Sequence, residues 1–259
     1  MRNLAKSIIE RLLAWAARRV IAAEQPIVIG VTGSSGKTST KDAIVHVLSS
    51  TVKLPVVGTG GNLNSEFGLP LVILGLTPPD GIGQWISVVW QAMRQGISLP
   101  SPKKMILVLE YGAEYPGDLA KLVAIAQPTV AIVTNVGPAH LEFFKTLDNV
   151  AREKATLIRN VPATGRVILS ATDQFTDWMA QQTRAEVVRI SGNGGEFSQT
   201  AAVTVAAWFD IPIQVARAAA AGWTPPPGRL VELIGLNQSI IIDDTYNANP
   251  SSMTLALNT

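Results

Sequence analysis

The chain holds 259 residues, with 21 Lys and Arg against 19 Asp and Glu for a formal net charge of +2, and no cysteine. Without thiols it forms neither disulfides nor thiolate metal sites, and so small a net charge, with no basic stripe interleaved with aromatics, argues against a nucleic-acid partner. At 47% hydrophobic and 15% charged residues it reads as a well-packed globular chain able to bury a large core, with no apolar run long enough to span a membrane and a cytoplasmic setting expected.

Residues 2–22 are predicted to form an amphipathic helix, with Leu4, Ile8, Ile9, Leu12 and Trp15 at helical spacing and Arg2, Lys6, Arg11, Arg18 and Arg19 elsewhere. Such a helix either packs on the domain surface or rests on anionic lipid as a peripheral membrane contact. Its short apolar run from Leu12 to Ala17 ends at two arginines, which argues against a secretory signal. An apolar strand, Ile27–Val31, then enters Thr32-Gly33-Ser34-Ser35-Gly36-Lys37-Thr38-Ser39, and a helical pattern follows from Lys41 to Leu48. Strand, glycine-rich turn and helix is the context of a phosphate-binding loop. Backbone N–H groups turn inward on anionic oxygens, the helix N-terminus adds partial positive charge, Lys37 reaches the outer phosphates and the Thr38 hydroxyl can sit on Mg²⁺. Val31 stands where the longer loop pattern has its first glycine, so the match is to a shorter variant, Gly-x-x-Gly-Lys-Thr-Ser.

Val52–Val57 reads as a strand running into a loop with Gly58, Gly60, Gly61, Asn62, Asn64 and Gly68, able to approach a ligand closely. Residues 84–97 read as a helix whose tryptophans, Trp85 and Trp90, are expected in the core. After Lys103-Lys104, Met105–Glu110 is a continuous apolar strand of the kind a buried parallel sheet requires. Glu110 ends it on the edge where ligands bind in open α/β sheets, placed to hold Mg²⁺ opposite Thr38.

Pro116-Gly117-Asp118 opens a helix that Pro128 closes. Thr129–Val133 is the next strand, and residues 134–140 form its exit loop. His140 is read as a metal or phosphate ligand, and the only other histidine, His46, as packing. A helix over 148–160 carries Arg152, Glu153 and Lys154, by default a solvated face. Further strands are expected at Arg166–Ser170 and Glu186–Ile190, with a helix around 173–183, a loop at Gly192–Gly195, and alanine-rich helices at 198–209 and 213–222. Pro225-Pro226-Pro227-Gly228 is a rigid break before Arg229, and a last apolar strand, Ser239–Ile242, leads into Asp243-Asp244. The alternation predicts an α/β fold, a P-loop-type, mainly parallel sheet with helices on both faces. Lys37, Thr38, Glu110, His140 and Asp243 are then expected around one crevice.

Seven segments, in order, resemble the ATP-binding central domain of the Mur ligase family: residues 32–39, Gly-Asn-Leu-Asn-Ser-Glu-Phe-Gly at 61–68, Leu-Glu-Tyr-Gly-Ala at 109–113, Pro-Ala-His-Leu-Glu at 138–142, Ala-Arg-Glu-Lys-Ala at 151–155, Gly-Arg-Leu at 228–230 and Asp-Asp-Thr-Tyr-Asn-Ala-Asn-Pro at 243–250. The resemblance implies an ATP-dependent amide ligase of peptidoglycan precursor synthesis, acting on a UDP-muramoyl-peptide and D-alanyl-D-alanine, with two Mg²⁺. It implies that the amides of Gly33, Ser34, Ser35 and Gly36, with Lys37, Ser39 and Asn135, hold phosphates. Thr38 and Glu110 would ligate one Mg²⁺, and His140 would help hold a second. Lys154 would be a carbamylated metal-binding lysine, and Lys37, Lys154 and His140 would carry the catalysis. Arg229, Asp244, Asn247 and Asn249 would meet the nucleotide, beside Tyr246, and Asn62 and Asn64 would face the acyl substrate.

The same resemblance divides the chain into a helix at 1–24, the central domain at 25–250, and at 251–259 the start of a linker to a C-terminal domain. That domain and an N-terminal uridine domain would come from elsewhere, for instance another chain, so that these residues alone are expected to bind ATP–Mg weakly and ligate poorly. The chain departs from the family at Ser65, in place of a second asparagine, in a short stretch between Ser170 and Ser198, and at Ser198 or Gln199, where the family has an adenine-side asparagine. The other reading is a nucleotide-binding module that regulates a partner and makes no bond. A P-loop phosphotransferase of another class would leave the 243–250 segment unexplained.

Overall fold

A computed structural model describes residues 2–61, 63–99, 104–248 and 250–257. The elements, in chain order, are α1 (Arg2–Glu24), β1 (Ile27–Thr32), α2 (Lys37–Thr51), β2 (Val56–Gly58), α3 (Gly68–Ile73), α4 (Trp85–Ser98), β3 (Ile106–Glu110), α5 (Asp118–Val123), β4 (Val130–Val133), α6 (Leu141–Phe144), α7 (Leu147–Arg159), β5 (Arg166–Ser170), α8 (Thr176–Ala180), β6 (Glu186–Ile190), α9 (Gly194–Ala207), α10 (Ile213–Ala221), β7 (Val231–Ile234), β8 (Ile240–Asp243) and α11 (Pro250–Leu257).

Six strands form one parallel sheet in the order β2-β3-β1-β4-β5-β6. Its inner strands β1, β3 and β4 are apolar on both sides because both faces are covered. Val28, Leu107 and Leu109 point into a core with α1, α3, α4, α5 and α7, while Ile29, Val31, Ile106 and Val108 point into one with α2, α9 and α10. The second core is lined with alanines such as Ala201 and Ala202, which let α9 lie close on α2. The chain leaves β1 toward β2 and β3 on one side and later returns to β4 on the other. The ends of β1, β3 and β4 therefore flank the switch point at which open α/β sheets bind ligands.

Several expectations are corrected. The strand expected at Val52–Val57 is only Val56–Gly58, because α2 runs on to Thr51. The helix expected at 173–183 is the short α8, and the loop expected at Gly192–Gly195 already holds the start of α9. The last strand does not join the parallel sheet. It pairs antiparallel with β7, which the sequence reading missed, as a separate two-stranded sheet. Trp90 is 61% exposed, so the tryptophans of α4 are not a core pair. On α1 the inward face is Leu13, Ala16, Ala17 and Val20, whereas Leu4 and Ile8 face solvent. His46 lies on the exposed side of α2 and is not packed. Asn62, Lys103 and Asn249 lie outside the described residues.

Candidate active site

The loop after β1 is held from below and from the side. Gly33 has φ 155°, and a Cβ on it would run into the Thr134 hydroxyl, so no other residue fits there. Gly36, at φ 75°, caps α2 from a left-handed conformation. Asn135 shapes the loop: its Oδ1 accepts from the amides of Ser34 and Ser35 at 3.1 and 3.0 Å, and its Nδ2 donates to Ser35 Oγ at 2.6 Å. Ser34 Oγ donates to the Gly137 carbonyl at 3.0 Å, and Thr32 Oγ1 donates to the Tyr111 carbonyl at 2.9 Å. The loop is thereby tied to the exits of both strands that flank β1.

Register brings the acid to the loop. Val31 pairs with Glu110 across β1 and β3, so the last residue of β3 lies level with the start of the turn. Thr38 Oγ1 donates to Glu110 Oε2 at 2.8 Å, and Asn64 Nδ2 donates to Glu110 Oε1 at 2.9 Å. Glu110 is 3% exposed and has two neutral side-chain donors, with no ion pair among the described residues. A buried carboxylate so held, next to a hydroxyl, is an oxygen donor set suited to a hard divalent cation. Among the described residues, no three His, Asp or Glu side chains converge as a metal cluster, so the remaining ligands of such an ion would be the hydroxyl and oxygens of whatever binds. Lys37 Nζ donates to the Gly33 carbonyl at 2.9 Å. Burial lowers the pKa of its ammonium, the charge of Glu110 opposes that, and the charge of Arg229 adds to it.

A crevice of about 1540 Å³ runs along this edge. Lys37, Thr38, Glu110, Asn64, Asn135 and His140 line it, and so do Arg229, Asp244, Tyr246 and Asn247 from the β7–β8 hairpin and its exit. Asp243, expected there, is instead turned to the hairpin base. It accepts from Thr245 Oγ1 at 2.6 Å, from the Thr245 amide at 3.2 Å and from the Gly228 amide at 3.2 Å, and these bonds, the Thr245 hydroxyl foremost, lower its pKa. Asp244 is the acid that faces the crevice. Burial raises its carboxyl pKa against the opposing Leu230 amide, and its Oδ2 is buried with no hydrogen-bond partner among the described residues. Arg229 stacks over the Tyr246 ring at 4.0 Å from the centroid.

His140 is exposed at the crevice, in a left-handed conformation (φ 54°) before α6. Lys154 is not on the crevice wall. It lies behind it, 5% exposed, with Glu153 also buried, so this stretch of α7 is no solvated face. Glu153 accepts from the Gly117 and Leu119 amides at 2.9 and 2.8 Å, whereas Lys154 makes no hydrogen bond or ion pair among the described residues. Burial first, and then the Lys37 charge, bring the Lys154 pKa down to about 7, against the opposing charges of Glu153 and Asp173. Ser198 and Gln199 do not face the crevice. Ser198 is sealed against Thr40 at 3.1 Å, and Gln199 donates to the Ala220 carbonyl.

The sequence reading missed Asp173, Asn193 and Trp223, which also line the crevice. Asp173 accepts from the Val136 amide at 2.6 Å and so anchors the loop that carries His140. Its signal was available: Glu110 ends a parallel strand, and Asp173 follows the end of another, β5, by three residues.

Residues 31–83 and 94–211 match the family described as the Mur ligase middle domain. The chain is 31% identical to UDP-N-acetylmuramoyl-tripeptide–D-alanyl-D-alanine ligase of Mycobacterium tuberculosis over 95% of the chain and 51% of that protein. It thus spans about half the length of the curated relatives it matches. Among solved structures, it is similar to MurF from Acinetobacter baumannii (TM-score 0.76, 26% identity, covering 94% of this chain and 56% of that one). It is similar also to MurF ligase from Thermotoga maritima in complex with ADP (TM-score 0.76, 26% identity, 96% and 60%).

Proposed function

This chain belongs to the Mur ligase family, and on that footing we propose that it is the ATP-handling part of a cytoplasmic carboxylate–amine ligase of peptidoglycan precursor synthesis. The observation that carries the reading is the bond from Thr38 to the buried Glu110, beside Lys37 at the start of a helix. A triphosphate has its natural seat there, with its outer phosphates at Lys37 and the loop amides.

A carboxylate is a poor acyl donor because its leaving group would be oxide. Attack by a carboxylate oxygen on the γ-phosphorus of ATP expels ADP and gives an acyl phosphate. An amine then adds to the carbonyl, expels phosphate and gives up a proton, leaving the amide. The first step drives like charges together, and preorganised cations lower its barrier. Lys37 and Arg229 are this chain's own cations. Thr38 and Glu110 would hold one Mg²⁺ and His140 a second, and magnesium bound there would neutralise phosphate oxygens and orient them. Lys154 suits carbamylation: a buried amine with a pKa of about 7 is substantially uncharged at neutral pH, and adding CO₂ with loss of a proton would make it an anionic oxygen ligand. At the other end, Asp244 Oδ2 is a free acceptor for a ribose hydroxyl, next to Arg229 and Asn247. Asn64 orients Glu110 from the side where the acyl substrate would enter. The substrates, a UDP-muramoyl-tripeptide and D-alanyl-D-alanine, follow from the relatives' names, with residues 25–250 as the middle domain.

The test is calorimetric titration of ATP with and without Mg²⁺, followed by assay of amide formation. The expected results are Mg²⁺-dependent binding by residues 1–259, reduced more than about tenfold in Glu110→Gln, and little or no ligation by these residues alone. ATP binding indifferent to both Mg²⁺ and Glu110→Gln would overturn the assignment.

A further inference from the structure

Helices α1 and α4 cover one face of the sheet and turn a second surface outward, away from the crevice. They pack closely: a Cβ on Gly96 would meet the Trp15 ring and the Ala16 backbone. Inward go Leu13, Ala16 and Val20 of α1 and Val88 and Ala92 of α4. Outward on α4, at the spacing of one helix face, stand Ile86 (78% exposed), Trp90 (61%) and Ile97 (67%). Leu4 and Ile8 of α1 are also exposed.

Among the described residues, the exposed charged side chains of α1 and α4 are all basic. Arg11, Arg18, Arg19 and Arg94 are exposed, Arg94 lying over the Trp90 ring and Arg19 over Trp15. α4 contains no acidic residue. The two acids of α1 are Glu10 and Glu24; neither is exposed, and Glu10 lines the crevice beside Lys6.

We propose that the outward side of α1 and α4 rests on a bilayer containing anionic phospholipid, with Trp90, Ile86 and Ile97 entering the headgroup boundary and the arginines at the lipid phosphates. Tryptophan and arginine are the side chains suited to that boundary, with an apolar body and a polar end. A second copy of the chain is a poorer occupant, because a two-fold contact would set this arginine-bearing surface against itself. Among the described residues no helix is long and apolar enough to cross a membrane, so the contact is one of lying on the surface. This surface goes beyond the ligase reading and does not depend on it.

The experiment is co-sedimentation of residues 1–259 with phosphatidylcholine vesicles, with and without phosphatidylglycerol, at low and high salt. Binding is expected only with phosphatidylglycerol and is expected to weaken with salt. It should fall more than about tenfold in Ile86→Ser/Trp90→Ser/Ile97→Ser, and about fivefold for each of Arg11→Gln, Arg18→Gln and Arg94→Gln. Urea unfolding shows whether each variant folds, and ATP titration shows that the crevice is intact, so failure here and failure of the ligase reading are told apart. No binding to anionic vesicles, equal binding to neutral ones, or a dimer that the triple variant abolishes would each overturn the proposal.

Discussion

The two ends of the crevice are built in different ways. At the phosphate-loop end, the loop is pinned by Thr134, Asn135 and Gly137 from beyond β4 and by Tyr111 from beyond β3, and Glu110 stands on a fully buried strand. At the other end, among the described residues, β7 and β8 pair only with each other, Ile234, Ile240 and Ile241 are exposed, and an oxygen of Asp244 has no hydrogen-bond partner. A lone two-stranded hairpin is marginal by itself. Where a packed core underwrites the geometry, the groups proposed for chemistry are held before anything binds. Where a hairpin carries the groups, the arrangement is completed by what binds.

That contrast can be broken at its rigid end first. Lys37→Ala is expected to lower ATP turnover in the ligase proposed above about 10²–10³-fold, without loss of folding stability, because it removes a half-buried ammonium whose pKa desolvation has already lowered. Parallel steady-state kinetics and urea unfolding check both halves. Gly33→Ala should act through the fold as well: its Cβ meets the Thr134 hydroxyl in a loop that has no slack, so a loss of about 1–3 kcal/mol in unfolding free energy is expected. A neutral result would mean that the loop is not pinned.

Lys154 offers a sharper probe of the same end. Its pKa of about 7 in the folded state lies below the ordinary lysine value of 10.5, so the unfolded chain binds more protons between those limits and stability rises with pH across that window. Lys154→Met is expected to remove about 1.4 kcal/mol per pH unit from that slope and to be more stable than the parent at neutral pH. Urea midpoints measured from pH 7 to pH 10 read this directly, and an unchanged slope would place the ammonium in solvent.

The legibility of the chain follows the same division. β1, β3, β4 and β5 could be placed within a residue, because both-face burial writes continuous apolar runs, and the phosphate loop was readable from its own eight residues. Lys154 could not be placed from its neighbours: Arg-Glu-Lys looks like a wetted helix face, and only the packing of α7 over the sheet buries two of the three. The strand pattern put Asp243 at the crevice, where only Asp244, named by the family resemblance, stands, since adjacent residues at a strand end point to opposite sides and the pattern does not say which. β7 is four residues long and largely exposed, with no core to impose a pattern on it. Trp90 misled because aromatic content suggests a core, while its helix packs chiefly on α1 through small residues and turns Trp90 outward.

The smallest expected effect tests the loose end. Arg229 lies over Tyr246 on a hairpin with little buried area, and an exposed cation–π contact contributes about 0.5–1 kcal/mol. Arg229→Ala should therefore shift the urea midpoint barely, while ATP affinity falls about tenfold, the loss of one charge-assisted phosphate contact. Arg229 also pushes the Lys37 pKa down, so its removal should move the pH dependence of ATP binding to higher pH. A stability loss as large as that of Gly33→Ala would show that the hairpin is built into the core after all, and the two ends would no longer differ in kind.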